Sequence, residues 1–173
     1  EVFFDVTTKE KKNIAIVIGY GGASKAIIFS LYSLGYKKIK LFNRSYEKIK
    51  NKFVNTPSDC FIEIHKLEDL EKHTHSADAI INTTPVNILN KPKEWNITSN
   101  TIGFDVVYRP KGGTGFLNYF EPNRRLDGIH MLINQAIPCF ENWFAGNKTY
   151  SADTLCASDD LINLLYKKMG ENT

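Results

Sequence analysis

Apolar residues along this chain occur in short blocks that alternate with segments of helical periodicity. Residues 14–18 read Ile-Ala-Ile-Val-Ile, a continuous apolar run of the kind that forms a buried central strand of a parallel sheet. Residues 22–34 carry their apolar positions at the spacing of an amphipathic helix, and Gly35 follows as a helix end. Further apolar blocks predict strands at residues 38–42, 61–64, 79–81 and 102–107.

Polar and capping residues between these strands predict helices. Ser45 is suited to begin a helix that runs to about residue 53, and Asp127 and Gly128 open a long helix to about Trp143. Shorter helices are predicted at residues 67–72, 116–120 and 158–168, and residues 86–100 are interpreted as a loop. Strands that alternate with helices in this way predict a Rossmann-type doubly wound parallel sheet, a three-layer α/β/α domain.

Composition narrows the class of protein. The 173 residues are 42% hydrophobic and 24% charged, which is ordinary for one globular domain with a core. The formal net charge of +3 suits an anionic small molecule, and the sequence contains no nucleic-acid-binding motif. No apolar run approaches the roughly 18 residues of a membrane span, and three widely spaced cysteines favour reduced thiols. We therefore expect a cytoplasmic protein with neither a nucleic acid nor a membrane as its partner.

A glycine-rich turn follows the first predicted strand directly. It reads Gly-Tyr-Gly-Gly-Ala-Ser and fits the pattern G-x-G-x-x-small. In such a turn the first glycine permits a tight bend, the second lets the backbone approach a pyrophosphate, and the small residue lets the helix pack closely. The helix N-terminus adds partial positive charge for the phosphates. The turn predicts a dinucleotide site formed by Gly19, Tyr20, Gly21, Gly22 and Ala23, with a plain strand-to-helix turn as the alternative.

The end of the second strand indicates which dinucleotide is bound. An NAD-binding domain usually carries an acidic residue here, which accepts a hydrogen bond from the ribose 2′-hydroxyl. This chain has Asn43 instead, followed by Arg44, whose guanidinium can bind a phosphate through two hydrogen bonds. Ser45 adds a hydroxyl and Lys48 a second cation. The pattern favours NADP over NAD, and the alternative is a solvated basic start of a helix.

Polar residues follow two later strands, at the sheet edge where Rossmann domains bind their ligands. Asn82 and Thr83 offer polar groups to a ribose or a nicotinamide. Tyr108, which follows the fifth strand, offers a phenol to a polyol substrate. For each of these residues an ordinary role at a strand end remains an open alternative.

The start of the long helix carries a further set of candidates. Gly128 leaves room for a nicotinamide ring, and Met131 can pack on that ring, although a helical methionine is more often a core residue. Gln135 lies two turns after Gly128 on the same helix face, where a buried amide can bind substrate hydroxyls.

Four other polar residues are assigned ordinary roles. His73 and His75 are interpreted as surface histidines because the sequence gathers no further ligands around them, so no metal site is predicted. His130 adjoins the expected nicotinamide position, and a role as proton donor is the less favoured reading. Asp105 is expected to orient the backbone at the end of a strand rather than to act as a base.

Five motifs occur in a fixed order along the chain. They read Gly-x-Gly-Gly-Ala at 19–23, Asn-Arg-Ser-x-x-Lys at 43–48, Asn-Thr-Thr-Pro at 82–85, Asp-x-Val-Tyr-x-Pro at 105–110 and Gly-x-x-Met-Leu-x-x-Gln-Ala from 128. In this order they resemble the C-terminal, cofactor-binding domain of the shikimate dehydrogenase family. The resemblance covers about residues 14 to 143 and is far more specific than the glycine turn alone.

The resemblance implies a role for most of the candidates. The family reduces 3-dehydroshikimate to shikimate with NADPH, a reversible step of chorismate and aromatic amino acid biosynthesis. The glycine turn and residues 43–48 would bind NADP, Val106 and Gly128 would lie beside the nicotinamide, and Tyr108 and Gln135 would contact shikimate. Two departures are Tyr20, which stands where a small residue is usual, and Asn87-Ile88, which stands where Gly-Met is usual.

The resemblance also implies a division of the chain. Residues 1–12 are expected to be a linker from an N-terminal substrate domain, 13–146 the NADP-binding domain, and 147–173 a tail with a helix. The Lys and Asp that serve catalysis in this family are expected in that N-terminal domain, so this fragment alone is expected to be inactive. The parent is a free-standing enzyme or a multifunctional aromatic-pathway protein. The alternatives are an NAD-preferring quinate/shikimate dehydrogenase and a non-catalytic regulatory module.

Overall fold

The sheet of this protein has the strand order of a Rossmann domain. The structure is a computed structural model that describes residues 13–51, 60–85, 95–107, 114–129, 131, 132 and 135. Its strands are β1 (Ile14–Ile18), β2 (Lys38–Asn43), β3 (Phe61–Lys66), β4 (Ala79–Asn82), β5 (Ile102–Asp105) and β6 (Arg125–Leu126). They form one sheet in the order β3-β2-β1-β4-β5-β6, and all five neighbouring pairs are parallel. The predicted fold class is confirmed.

Some predictions concern residues beyond those ranges. They are the linker at 1–12, the loop residues 86–94, Tyr108, His130, the end of the long helix, and the tail at 147–173 with its helix at 158–168. Within the ranges given, no helix is both long enough and apolar enough to cross a membrane.

One face of the sheet packs against helix α1 (Gly22–Ser33). Ile28 and Leu31 of this helix are buried against the apolar side chains of β1, β2 and β4 on that face. Gly35 ends the helix in the left-handed conformation, with φ of +88°, as its sequence position predicts. Cys60 is buried in the same core with its thiol free, and burial raises the pKa of this thiol.

The second helix is shorter than predicted. Helix α2 spans only Tyr46–Ile49, and Ile49 is its single buried residue. Ser45 occupies the N-cap position, but its side chain makes no capping hydrogen bond. With one buried contact and no cap, the segment lacks the packing that most protein helices need beyond a single turn.

The opposite face of the sheet packs against two pieces of 3₁₀ helix. The first is Leu67–Ser76, four residues longer than the predicted helix at 67–72, and the second is Leu117–Tyr119 within the predicted segment 116–120. Phe116 and Phe120 are buried here, with ring centroids 5.1 Å apart. A Cβ atom on Gly103 would collide with the Phe120 ring, so this glycine makes room for the aromatic core.

His73 belongs to a cluster on this face and is not the surface histidine that the sequence suggested. It is half-buried, and its ring lies 4.6 Å from that of His65 and 5.4 Å from that of Phe42. The ammonium of Lys40 lies 3.1 Å from His73 Nδ1, and Glu63 lies 3.3 Å from His65 Nε2. The sequence missed this cluster because its members come from three separate elements. His75 is exposed, as predicted.

This cluster predicts a loss of stability in mild acid. Burial, followed by the charges of Lys40 and His65, lowers the pKa of His73, while Glu63 and Asp69 oppose the shift more weakly. His73 therefore binds a proton more readily in the unfolded chain than in the folded protein. Its contribution to the free energy of unfolding is complete above about pH 6.5 and is lost as the pH falls through the lowered pKa of the folded state. Urea unfolding between pH 7 and pH 5 measures this loss.

The variant His73→Gln keeps a hydrogen-bond acceptor for Lys40 but does not titrate. We expect its stability to change less than that of the wild-type protein over the same pH range. Equal pH dependence of the two proteins would contradict the assignment to His73.

Candidate dinucleotide-binding site

The first glycine of the turn is required by both conformation and space. Gly19 has φ of +98°, a left-handed conformation that side chains rarely adopt. A Cβ atom there would lie 2.7 Å from Thr84 Cγ2 and 2.8 Å from Thr83 Oγ1. The Gly19 amide donates to the carbonyl of Phe42 at 2.8 Å. Gly19 therefore follows β1, is hydrogen-bonded to the end of β2 and lies against the residues that follow β4, so the three strand ends meet at this glycine.

The second and third glycines border open space. Gly21 is the N-cap of α1, and Gly22 begins the helix. A Cβ atom on either glycine would meet nothing within 4 Å, and the first turn of α1 contains no acidic residue. Ala23 is half-buried, and Ser24 is fully buried with its hydroxyl donating to the Gly21 carbonyl at 2.8 Å. A helix N-terminus with open space before it and a buried small residue behind it can accommodate an anion.

Tyr20 packs sideways and not over the turn. Its ring is half-buried against the core around α1, and the Lys25 ammonium lies 5.7 Å from the ring centroid. No atom of Tyr20 lies within 4 Å of the Cβ position at Gly22. The large side chain is therefore compatible with a ligand at the helix N-terminus.

A cleft of about 560 Å³ opens beyond the carboxyl ends of β2 and β3. One wall is formed by residues 44–48 and the other by residues 66–68, 70 and 71, with Trp95 also lining the cleft. Asn43 ends β2 and is the register partner of Lys66, which ends β3. The two walls are therefore direct continuations of neighbouring parallel strands.

The charges in this cleft favour an anion on the β2 wall. Arg44, Ser45 and Lys48 are exposed, and within the described residues neither Arg44 nor Lys48 forms a salt bridge. Glu47 is bound to Lys50 at 2.6 Å, and this hydrogen bond is the main reason that the pKa of Glu47 is lowered. Glu68 and Glu71 place carboxylates on the opposite wall.

Asp105 organises the loops at the ends of β4 and β5. One of its carboxylate oxygens accepts hydrogen bonds from Asn82 Nδ2 and the Val107 amide, both at 3.1 Å, and the other accepts from the Thr114 hydroxyl. Asp105 is 1% exposed. This confirms that it orients backbone, and the capture of the Val107 amide explains why β5 ends two residues earlier than predicted.

Asn82 is part of the same network, and its side chain is buried. It is 2% exposed, and its carbonyl oxygen accepts from the Thr84 amide at 3.1 Å and the Thr84 hydroxyl at 2.8 Å. The Thr83 hydroxyl donates to the Ile18 carbonyl at 2.7 Å. Both side chains hold the loop against β1, and their contact with a ribose or a nicotinamide stays a prediction.

Gly128 is a glycine because backbone lies against it. A Cβ atom would collide with the carbonyl group of Val106, so this contact requires a glycine here, and a nicotinamide ring beside Gly128 stays a prediction. The close approach brings the helix start onto the end of β5. Asp127 accepts a hydrogen bond from the Ile129 amide at 3.1 Å and caps this helix.

The helix that begins at Ile129 carries two of the predicted residues. Met131 is half-buried, and Gln135 is exposed where a buried amide was expected. Tyr108 lies outside the described residues, so its relation to Gln135 stays a prediction.

Three residues near the site were missed from the sequence. Lys66 and Trp95 line the cleft, and Thr114 binds Asp105. Lys66 lies two residues beyond the predicted strand at 61–64, and only its register with Asn43 on β2 marks it as a residue of this edge. The other two lie in irregular segments, where the sequence has no periodicity from which their partners could be inferred.

No triad of His, Cys, Asp or Glu side chains in the described ranges is arranged to hold a metal ion.

Fold and turn geometry together define a Rossmann-type α/β domain. The family model for shikimate/quinate 5-dehydrogenase matches residues 4–98, and the chain belongs to this family. The resemblance inferred from the five motifs is thereby confirmed.

Curated relatives and solved structures agree with this assignment. Shikimate dehydrogenase (NADP(+)) of Bartonella quintana is 32% identical over 142 residues, which are 75% of this chain and 47% of the relative. The protein of the same name from Dictyoglomus turgidum is 33% identical over 135 residues, 75% of this chain and 48% of the relative. The chain thus spans about half the length of these relatives.

Solved structures share the fold. Quinate dehydrogenase of Corynebacterium glutamicum, in complex with NAD, superposes with a TM-score of 0.66 at 20% identity over 88% of this chain and 56% of that one. Shikimate dehydrogenase of Thermotoga maritima gives a TM-score of 0.64 at 21% identity over 97% and 61% of the two chains.

Proposed function

We propose that this chain is the NADP-binding domain of a shikimate dehydrogenase, an enzyme that reduces 3-dehydroshikimate to shikimate. The family assignment supports the enzyme class, and the curated relatives carry NADP(+) in their names. The proposed substrate domain is a further part of the same polypeptide, which agrees with curated relatives of which this chain covers about half the length. The protein is proposed to work in the cytoplasm.

The observation that carries the cofactor proposal is the charge of the β2 wall. Asn43 stands where an NAD enzyme would carry an acid, and Arg44 and Lys48 follow without a salt bridge in the described part of the chain. An acid at the end of β2 would repel a 2′-phosphate, whereas a planar guanidinium can form two hydrogen bonds with one.

The site fits a dinucleotide at its other end as well. Gly21 and Gly22 leave the N-terminus of α1 open, so the amides of its first turn can bind the pyrophosphate. Gly19 brings this turn against Thr83 and Thr84, and Asp105 holds the backbone at Val107 next to Val106. These contacts would set the distance between the pyrophosphate position and the nicotinamide position, where bound NADPH supplies a hydride.

Reduction of a ketone also needs a proton donor at the developing alkoxide. In our proposal Tyr108 and Gln135 orient the substrate from this domain, while the Lys and Asp that manage the proton belong to the N-terminal substrate domain. The role assigned to this chain is therefore to bind and orient the cofactor.

The proposal predicts binding without turnover. Mixed with NADPH, the 173-residue chain is expected to change the nicotinamide fluorescence, because the ring leaves bulk water. With 3-dehydroshikimate added, the absorbance of NADPH is expected to stay constant, because no proton donor reaches the ketone. Rapid consumption of NADPH by the chain alone would contradict this division of roles, and an unchanged fluorescence would contradict cofactor binding.

A further inference from the structure

Lys66 lines the cleft on its β3 wall. It ends β3 and is the register partner of Asn43 on β2, so the two residues are about 4.8 Å apart across the sheet. Lys66 is exposed, and no hydrogen bond or salt bridge occupies its ammonium within the described ranges. Its charge is therefore available to a ligand.

The field of Lys66 reaches both walls. On the β2 wall the pKa of Glu47 is lowered first by its hydrogen bond to Lys50, and the charge of Lys66 lowers it further. Beyond the β3 wall the pKa of Asp69 is lowered first by its hydrogen bond to Lys72, and Lys66 again adds to the effect. Because Lys66 lines the β3 wall and acts on Glu47 of the β2 wall, an anion between the walls would also lie in its field.

Without Lys66 the β3 wall would repel an anion. Glu68 and Glu71 also line this wall. Among the described residues that line it, Lys66 is the only cation. Lys72, which lies nearby, is bound to Asp69 at 2.7 Å and does not line the cleft. Lys66 is thus the group that offsets the carboxylates opposite Arg44 and Lys48.

We propose that Lys66 is a specificity-determining residue for the 2′-phosphate of the cofactor, which it binds from the β3 wall opposite Arg44 and Lys48. The proposal rests on the proposed NADP-binding function and adds a third cation that the motif at residues 43–48 does not contain. NAD has a hydroxyl in place of the 2′-phosphate and gains little from the charge of Lys66. Lys66 therefore raises the affinity for NADP without raising the affinity for NAD.

The test compares Lys66→Gln with Lys72→Gln and Lys66→Arg in calorimetric titrations with NADP, NAD and adenosine 2′,5′-bisphosphate. All three residue changes lie at exposed positions, and circular dichroism checks that each variant is folded. We expect Lys66→Gln to weaken NADP and the bisphosphate about fivefold, as for an exposed ion pair, and to leave NAD unchanged. Lys72→Gln removes the same charge nearby and is expected to keep the NADP-to-NAD affinity ratio, as is Lys66→Arg.

Two results would overturn the assignment to Lys66. Either Lys66→Gln and Lys72→Gln lower the ratio equally, which indicates only a general field, or Lys66→Gln leaves the ratio unchanged. If the wild-type chain shows no preference for NADP, the proposed function fails together with this inference. If the wild-type chain prefers NADP and Lys66→Gln keeps that preference, only this inference fails.

Discussion

Asp105→Ala is expected to lower the free energy of unfolding by about 3–5 kcal/mol, because it leaves several buried groups without a partner. Asp105 accepts hydrogen bonds from Asn82, Val107 and Thr114, which belong to three different segments. Val107 and Thr114 would lose this acceptor and Asn82 the shorter of its two hydrogen bonds, and both Asn82 and Thr114 are buried. Urea unfolding followed by circular dichroism measures the effect.

Two other substitutions serve as controls. Asp105→Asn keeps the volume and one acceptor oxygen, and its amide can donate to Thr114, so we expect a loss of only about 1–2 kcal/mol. Asp127→Ala removes a helix cap near the same loops and is expected to cost about 1 kcal/mol. If Asp105→Ala cost no more than Asp127→Ala, Asp105 would not be the centre of this network.

Arg44→Ala is expected to weaken NADP binding roughly 10- to 100-fold, since a hydrogen-bonded charge pair with a phosphate contributes about 1.5–3 kcal/mol. NAD lacks the 2′-phosphate, so its affinity is expected to change less than about twofold. Arg44 is exposed and has no salt bridge to another described residue, so its removal leaves the fold intact. Titration of NADP and of NAD into the wild-type protein and into Arg44→Ala gives the four dissociation constants that this comparison needs.

Arg44→Lys is the informative control for this effect. It keeps the charge but cannot form a planar two-point contact, so we expect an intermediate loss of NADP affinity. An equal loss of NADP and NAD affinity in Arg44→Ala would show that Arg44 acts on the part common to both cofactors, and would contradict its assignment to the 2′-phosphate.

Much of the sheet could be predicted because its central strands are buried on both faces. The continuous apolar runs of β1 and β4 can bury their side chains only in the middle of a sheet that is covered on both faces. The parallel order of the strands follows from the helical segments that connect them. The glycine turn was equally readable, because Gly19 combines a left-handed backbone with a crowded site. Strand β6 was missed, since two residues that pair only at a sheet edge have no detectable pattern.

The site was predicted where its chemistry lies within one motif and missed where segments distant in sequence meet. Arg44 and Lys48 lie together in sequence and line one wall. The burial of Asn82 and the contact of Gly128 with Val106 depend on partners more than twenty residues away, which a single sequence does not reveal. Lys66 could have been noticed only after β2 and β3 had been paired in register.

We propose above that this chain binds NADP through a 2′-phosphate site at the end of β2. The most direct measurement is the ratio of the dissociation constants for NAD and NADP, obtained by calorimetry on the unmodified chain at two salt concentrations. We expect NADP to bind at least about tenfold more tightly than NAD and added salt to reduce this preference, because salt screens exposed charges. Equal affinity for the two dinucleotides, or tighter binding of NAD, would show that no 2′-phosphate site operates at the end of β2.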